Sequence, residues 1–278
     1  MIYHQPMNRQ SATINGFNCS FALEGKTGRP VVVLSHPLAT AMEIWGYQLP
    51  VLQHRFRVLL YDIRGHGQSA APGDNYTLET LADDVAGLLD YLNIRQAAFV
   101  GLSIGGMIGQ IFALHYPEKV SALVLCSTGS QMQDQGKASA EQWIQSALAE
   151  GMKKQVESRI QRWLTPSFVA AAPSLVGWIS DLIRSTSVNG FVGCCRAIQR
   201  LNVTERLNQI RTGTLLIPGE LDQGFPPSSF RLIQQQIAGS ELKVLPGAAH
   251  LGNVEHAHAF NEILVEFLER TLLPAQNG

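Results

Sequence analysis

Apolar positions fall along this chain in two alternating rhythms. Val31-Val-Val-Leu-Ser35 and Arg57-Val-Leu-Leu-Tyr61 are short apolar runs, too short for helices, and each stops at a loop, as buried parallel strands do. Residues 97–101 and 120–125 repeat the pattern. Between the second and third runs, residues 77–92 carry Leu78, Leu81, Val85, Leu88 and Leu89 at spacings of three and four, one face of a helix. Thr77 is its expected N-cap and Glu79 lies in the first turn, where the helix dipole favours a negative charge. Thr80 stands where a capping box would need Glu or Gln. From about residue 131 to 201 the rhythm changes: no strand is evident, and helical patterns carry Trp143, Leu148, Trp163, Phe168, Trp178, Leu182 and Phe191. The first rhythm then returns, with a strand at 214–218, a helix near 228–237, a strand at 242–245 and a last helix from about 258 to 272. Alternating β and α units predict an α/β fold with a mostly parallel sheet and helices on both faces. The expected division is a core of residues 1–130 and 202–278 with residues 131–201 inserted as a helical cap.

Composition narrows the function classes. A chain of 278 residues with 45% hydrophobic and 15% charged residues is globular and long enough for one large core. A net charge of -1 gives no reason to expect nucleic acid or an acidic membrane surface as partner. No run of 18 apolar residues suggests a spanning helix, and residues 1–10 lack the charged-then-apolar pattern of a signal peptide. Cys19, Cys126, Cys194 and Cys195 form no C-x-x-C pair and are read as free thiols, so a cytoplasmic location is expected. There is no H-E-x-x-H, and no G-x-G-x-x-G or phosphate loop follows a strand, so neither a metal nor a nucleotide cofactor is expected. The expected partner is a small-molecule substrate.

Gly101-Leu102-Ser103-Ile104-Gly105 is a G-x-S-x-G motif placed between a strand and an apolar helix at 104–115. That context is the one a nucleophile elbow requires, because a sharp turn holding a strained serine tolerates no bulky neighbours. A nucleophilic serine needs a base from elsewhere in the chain, and α/β-hydrolases supply their partners in the order serine, acid, histidine. His36 and His66 precede the serine, while His4, His54 and His115 sit at surface or helix positions. His250 follows the last predicted strand in a glycine-containing loop and is the expected base; His256 and His258 belong to the approach to the last helix. Asp222 lies beyond the strand at 214–218 and is the expected acid, with Glu220 as its rival. An oxyanion hole needs two N–H donors. One is that of Ile104, and the other comes from the Ser35-His-Pro-Leu-Ala-Thr40 loop, where Pro37 has no N–H and Leu38 is the candidate.

Several segments together resemble the 3-oxoadipate enol-lactonases, α/β-hydrolases that open a small enol-lactone in aromatic-compound breakdown. They are Ser35-His-Pro-Leu-Ala-Thr40, Tyr61-Asp-Ile-Arg-Gly-His-Gly-Gln-Ser69, Gly101-Leu-Ser-Ile-Gly-Gly106, Arg162-Trp-Leu-Thr-Pro166, Gly193-Cys-Cys-Arg-Ala-Ile198 and Ala249-His-Leu-Gly-Asn-Val-Glu255. The first three are common to many α/β-hydrolases; the rest are more particular. The resemblance implies the same assignments: Ser103, Asp222 and His250 as catalytic residues, and Leu38 and Ile104 as oxyanion donors. The chain departs from the family at Gln199-Arg-Leu-Asn202 and at Phe225. An enol-lactone or small ester is the expected substrate. The alternatives are carbon–carbon hydrolysis of a ring-fission product by the same residues, and a non-catalytic ligand receptor on the same fold. Trp163 and other aromatic residues of the cap are candidates to wall off the substrate, with packing between helices as the plain alternative. A substrate carboxylate would need a cation. Arg159, Arg162, Arg196 and Arg200 lie in this region, and Arg196 and Arg200, four apart on one helix face, are the expected pair.

Overall fold

The computed structural model describes residues 7–273; the first six residues of the polar start, His4 among them, lie outside the described residues. The chain opens with a hairpin, β1 (Arg9–Ile14) and β2 (Phe17–Glu24), which the sequence reading did not identify. Asn15 and Gly16 join its strands with φ of 44° and 80°, the doubly positive turn that matches the twist of paired strands. Six further strands follow: β3 (Val31–Ser35), β4 (Arg57–Tyr61), β5 (Ala97–Leu102), β6 (Val120–Cys126), β7 (Thr214–Ile217) and β8 (Glu241–Leu242). They form one eight-stranded sheet in the order β1-β2-β4-β3-β5-β6-β7-β8. Within this sheet, among the described residues, only the β1–β2 and β2–β4 pairings are antiparallel. All six residues of β5 are buried. Since successive side chains point to opposite faces, both faces of the sheet are covered there.

The helices are α1 (Leu49–Leu52), α2 (Leu78–Tyr91), α3 (Ile104–His115), α4 (Asp134–Glu150), α5 (Gln155–Trp163), α6 (Pro166–Ala171), α7 (Pro173–Ser185), α8 (Val188–Gln199), α9 (Pro227–Gln236), α10 (Gly252–Glu255) and α11 (Ala257–Leu272). The Thr77 hydroxyl accepts the N–H of Thr80 and caps α2, so a lone cap suffices without the reciprocal acid. The expected strand at 242–245 is shorter than predicted. Pairing with β7 covers Glu241 and Leu242, and Leu245 makes only an isolated parallel bridge to Gly219.

Helices α4 to α8 lie between β6 and β7, and the two ends of that segment meet. Gln131 and Asn202 form an antiparallel bridge, and the Met132 N–H donates to the Leu201 carbonyl at 2.9 Å. The segment also touches the core at two glycines. A Cβ on Gly190 of α8 would lie 2.2 Å from the Gly65 carbonyl oxygen, so two backbones meet where no side chain fits. Gly190→Ala is therefore expected to lower fold stability by about 1–3 kcal/mol, the scale of overpacking, read as an earlier urea midpoint. A midpoint equal to that of the wild type would mean this approach is not close in solution.

Candidate active site

Parallel strands β3, β5, β6 and β7 run their C-terminal ends to one edge of the sheet, where ligands bind in open α/β folds. The switch point is between β3 and β5. β4 lies on one side of β3 and β5 on the other, so the loops after β3 and β5 diverge from adjacent starts at the paired residues Ser35 and Gly101.

Ser103 occupies the turn between β5 and α3 with φ 58° and ψ −117°. A side chain held there costs about 1–3 kcal/mol and persists only where its surroundings leave no other path. Two glycines provide that condition. A Cβ on Gly101 would lie 2.2 Å from the Gly105 carbonyl oxygen, and one on Gly105 would lie 2.2 Å from that of Ser35. The Ser103 N–H donates to the Cys126 carbonyl at 2.9 Å, and the Thr128 hydroxyl donates to the Ser103 carbonyl at 2.8 Å. Both backbone groups of the turn are thus tied to β6 or the loop after it.

The loops after β7 and β8 are joined before they present side chains. The Leu245 N–H donates to the Pro218 carbonyl, Glu220 N–H to Leu245 and Leu221 N–H to Ala248. This brings Asp222 to His250, with Nδ1 2.8 Å from the carboxylate Oδ2. The other oxygen, Oδ1, accepts the N–H groups of Gly224 at 2.8 Å and Phe225 at 3.1 Å. Burial pushes the Asp222 carboxyl up, but His250 and the two amides outweigh it and hold it below its ordinary value. An ionised Asp222 accepts a hydrogen bond from Nδ1–H, which fixes the proton on Nδ1 and leaves Nε2 as the acceptor. Glu220 points elsewhere, its Oε2 accepting the Gly247 N–H at 2.8 Å. His258 is exposed beside Glu262.

His250 has two aromatic rings beside it. Trp163 is stacked at 6.2 Å between centroids and Phe225 at 6.0 Å. The histidine loop and the end of α5 are also clasped together. Leu251 N–H donates to the Trp163 carbonyl, while the Glu255 carboxylate accepts from Ala249 N–H at 2.7 Å and from the N–H and hydroxyl of Thr165 at 2.7 and 2.9 Å. The sequence reading did not single out Glu255 for this role.

Ser103, His250, Leu38 and Trp163 all line one cavity of about 560 Å³. Among the described residues no hydrogen bond joins Ser103 Oγ to His250, a contact that in empty sites commonly tightens only with substrate. Ile104 is the first residue of α3, so its N–H has no acceptor within the helix. Leu38 sits in a loop fixed by His36: Nδ1 bonds the Pro37 carbonyl at 2.8 Å, while Nε2 accepts the Ile63 N–H at 2.9 Å. Burial pulls the His36 pKa below its ordinary value, so the ring stays neutral and can accept as well as donate.

The expected arginine pair lies elsewhere. Arg196 bonds the carbonyl of Asp74 at 2.9 Å and its carboxylate at 2.8 Å; Arg200 bonds Asn75 at 2.9 Å and the Tyr76 carbonyl at 3.4 Å. Sharing one helix face, both turn outward to the loop before α2, and neither is on the cavity wall. The arginines that do line the cavity are Arg159 and Arg162. Arg159 is four residues before Trp163 on the buried face of α5, a spacing visible in the sequence but not used. Among the described residues no group of three or more His, Cys, Asp and Glu side chains is placed to hold a metal ion.

The chain belongs to the α/β-hydrolase fold family, whose description matches residues 30–257. It is similar to 3-oxoadipate enol-lactonase 2 of Acinetobacter baylyi, with 32% identity over 94% of this chain and 97% of that one. A putative carbamate hydrolase of Klebsiella pneumoniae is 30% identical over 88% of this chain and 93% of its own length. Among solved structures, the enol-lactonase from Burkholderia xenovorans superposes with a TM-score of 0.90 at 33% identity, covering 93% of this chain and 99% of that one.

If Asp222 orients His250, Asp222→Asn is expected to lower kcat by roughly 10⁴-fold, the cost of presenting the wrong tautomer. Glu220→Gln should change it by no more than a few-fold. The reverse ranking on a chromogenic ester would transfer the acid's role to Glu220.

Proposed function

We propose that this member of the α/β-hydrolase family opens a small lactone or ester through an acyl-enzyme on Ser103, with a 3-oxoadipate enol-lactone-like compound as first candidate. One observation carries the reading: a buried Asp222 is bonded to His250, and His250 lines the same cavity as a serine held at positive φ. Similarity to enol-lactonases over most of the chain supports the substrate class. By that similarity, a place in the breakdown of aromatic compounds is part of the proposal.

In this reading Ser103 Oγ attacks the acyl carbon while His250 Nε2 takes its proton. Asp222 stabilises the imidazolium through Nδ1 without taking the proton. The carbonyl oxygen gains negative charge between the N–H groups of Leu38 and Ile104, the latter at a helix N-terminus. The ring C–O bond then breaks, and the imidazolium returns its proton to the departing oxygen. An enolate leaves more readily than an alkoxide, so little further help is needed. Water, deprotonated by His250, cleaves the acyl-enzyme and frees Ser103 and a carboxylic acid. Trp163 and Phe225 pack beside the imidazole. Helices α4 to α8 are proposed to act as a cap over the cavity. Four buried free cysteines fit a reducing compartment such as the cytoplasm. No helix among the described residues is long and apolar enough to cross a membrane.

The test is a panel of enol-lactones, aryl esters, carbamates and ring-fission diketo acids given to purified wild type and Ser103→Ala. Lactone or ester turnover is expected, lost by roughly 10⁴-fold or more in the variant and unaffected by EDTA. Selective turnover of the diketo acids would favour carbon–carbon hydrolysis, and activity of Ser103→Ala within tenfold of wild type would end the nucleophile assignment.

A further inference from the structure

Arg159 is the most costly unexplained residue near the candidate site. It is 3% exposed, on the stripe Gln155, Arg159 and Trp163 that α5 buries. Its guanidinium carbon lies 3.8 Å from the centre of the Trp143 ring and 5.3 Å from that of Phe191. Aromatic stacking engages the flat face of a guanidinium, whereas its N–H donors lie in the plane and point outward from the edge. Two of those edge nitrogens, Nε and Nη2, have no hydrogen-bond partner. No salt bridge among the described residues includes Arg159, and the charged residue that shares its cavity wall is another cation, Arg162. Desolvation lowers the Arg159 pKa to about 10, with Cys195 opposing and Arg162 adding repulsion. A Met or Leu would fill the gap between Trp143 and Phe191 without burying a charge. The cavity wall itself carries Arg159 and Arg162 and neither Asp nor Glu.

A buried cation with unused donors beside an acid-free cavity suits an anion brought by the ligand. We propose that Arg159 is the receptor for a carboxylate on the substrate, so that the site selects short carboxylated esters or lactones over neutral ones. The inference rests on the hydrolase reading and names the group that reading lacked once Arg196 and Arg200 were found bound to the loop before α2. Position supports it further. Arg159 is about one helical turn, or ~6 Å along the axis, from Trp163, whose ring stacks on His250. Arg159 and Ser103 line the same cavity, so one small substrate can reach both. A planar fork matches the two oxygens of a carboxylate, with Arg162 adding long-range attraction at the rim.

The kinetic test compares the mono-4-nitrophenyl ester of succinic acid with its methyl diester counterpart, which share a leaving group and differ in one charge. Wild type is expected to prefer the acid in kcat/KM. Arg159→Met should reduce the acid-to-ester ratio by roughly 10- to 100-fold, the scale of a hydrogen bond to a charged group. Arg159→Lys, which keeps the charge and loses the fork, should retain part of the preference. Both substrates declining together with the ratio kept would mean a packing role and overturn the proposal. A readout independent of turnover is succinate binding by calorimetry, expected to weaken at least tenfold in Arg159→Met while melting temperature is kept. Equal succinate affinity in the two proteins would overturn the carboxylate site, as would tighter binding of inorganic phosphate than of succinate. Failure of both esters to turn over, with succinate binding still dependent on Arg159, would instead count against the hydrolase reading and leave the anion site supported.

Discussion

The backbone of Ser103, turned to φ 58° at the end of β5, is the constraint around which the rest of the site is arranged. L-residues avoid that region, and the turn holds because the chain around it has no room to relax. Gly101 and Gly105 let α3 start within van der Waals reach of β3 and of β5 itself, and the Cys126 and Thr128 bonds tie the turn to the neighbouring strand. Because α3 must begin at once, the first unsatisfied N–H of the helix, that of Ile104, falls directly after the hydroxyl. A proposed nucleophile and a proposed oxyanion donor therefore arise from a single local geometry.

The remaining groups come from far along the chain, and the fold brings them in as paired loops. The loops after β7 and β8 share backbone hydrogen bonds before they present Asp222 and His250, so the distance between those side chains is set by main-chain contacts. Glu255 extends the clasp to Thr165 at the start of α6, and Leu251 to Trp163 at the end of α5. The helical segment is thereby joined to the histidine loop as well as through its own two ends. A shift of α5 would disturb the ring stacked on His250, which links substrate-facing residues to the proposed base by direct contact.

Much of this was legible in the sequence, for physical reasons that differ by element. Fully buried parallel strands announce themselves as short apolar runs ending in loops, and β3 to β7 were found that way to within one residue. The elbow is legible because G-x-S-x-G falls between a predicted strand and an apolar helix, the context its sharp turn requires. The opening hairpin is less legible although Asn15-Gly16 stands between its strands, because half of β1 is exposed and polar residues interrupt the apolar positions of both strands. β8 was misplaced because only two residues pair, and the apolar Val244 and Leu245 lie beyond them. Arg196 and Arg200 were chosen by helical spacing, which shows that two side chains share a face but not which way that face turns. Arg159 stands among the four candidate arginines, but neither its type nor its spacing carries a sign of burial. Only the packing of Trp143 and Phe191 around it reveals that its charge is unpaired.

The account stands on Ser103 forming a covalent acyl intermediate. The direct measurement is mass spectrometry of the protein quenched within milliseconds of mixing with a slowly deacylated 4-nitrophenyl ester, followed by peptide mapping. The expected result is one acyl group per chain, located on Ser103, appearing with the burst of nitrophenol and absent from the His250→Ala protein. Steady turnover with no acyl adduct, or an adduct on any other residue, would contradict it.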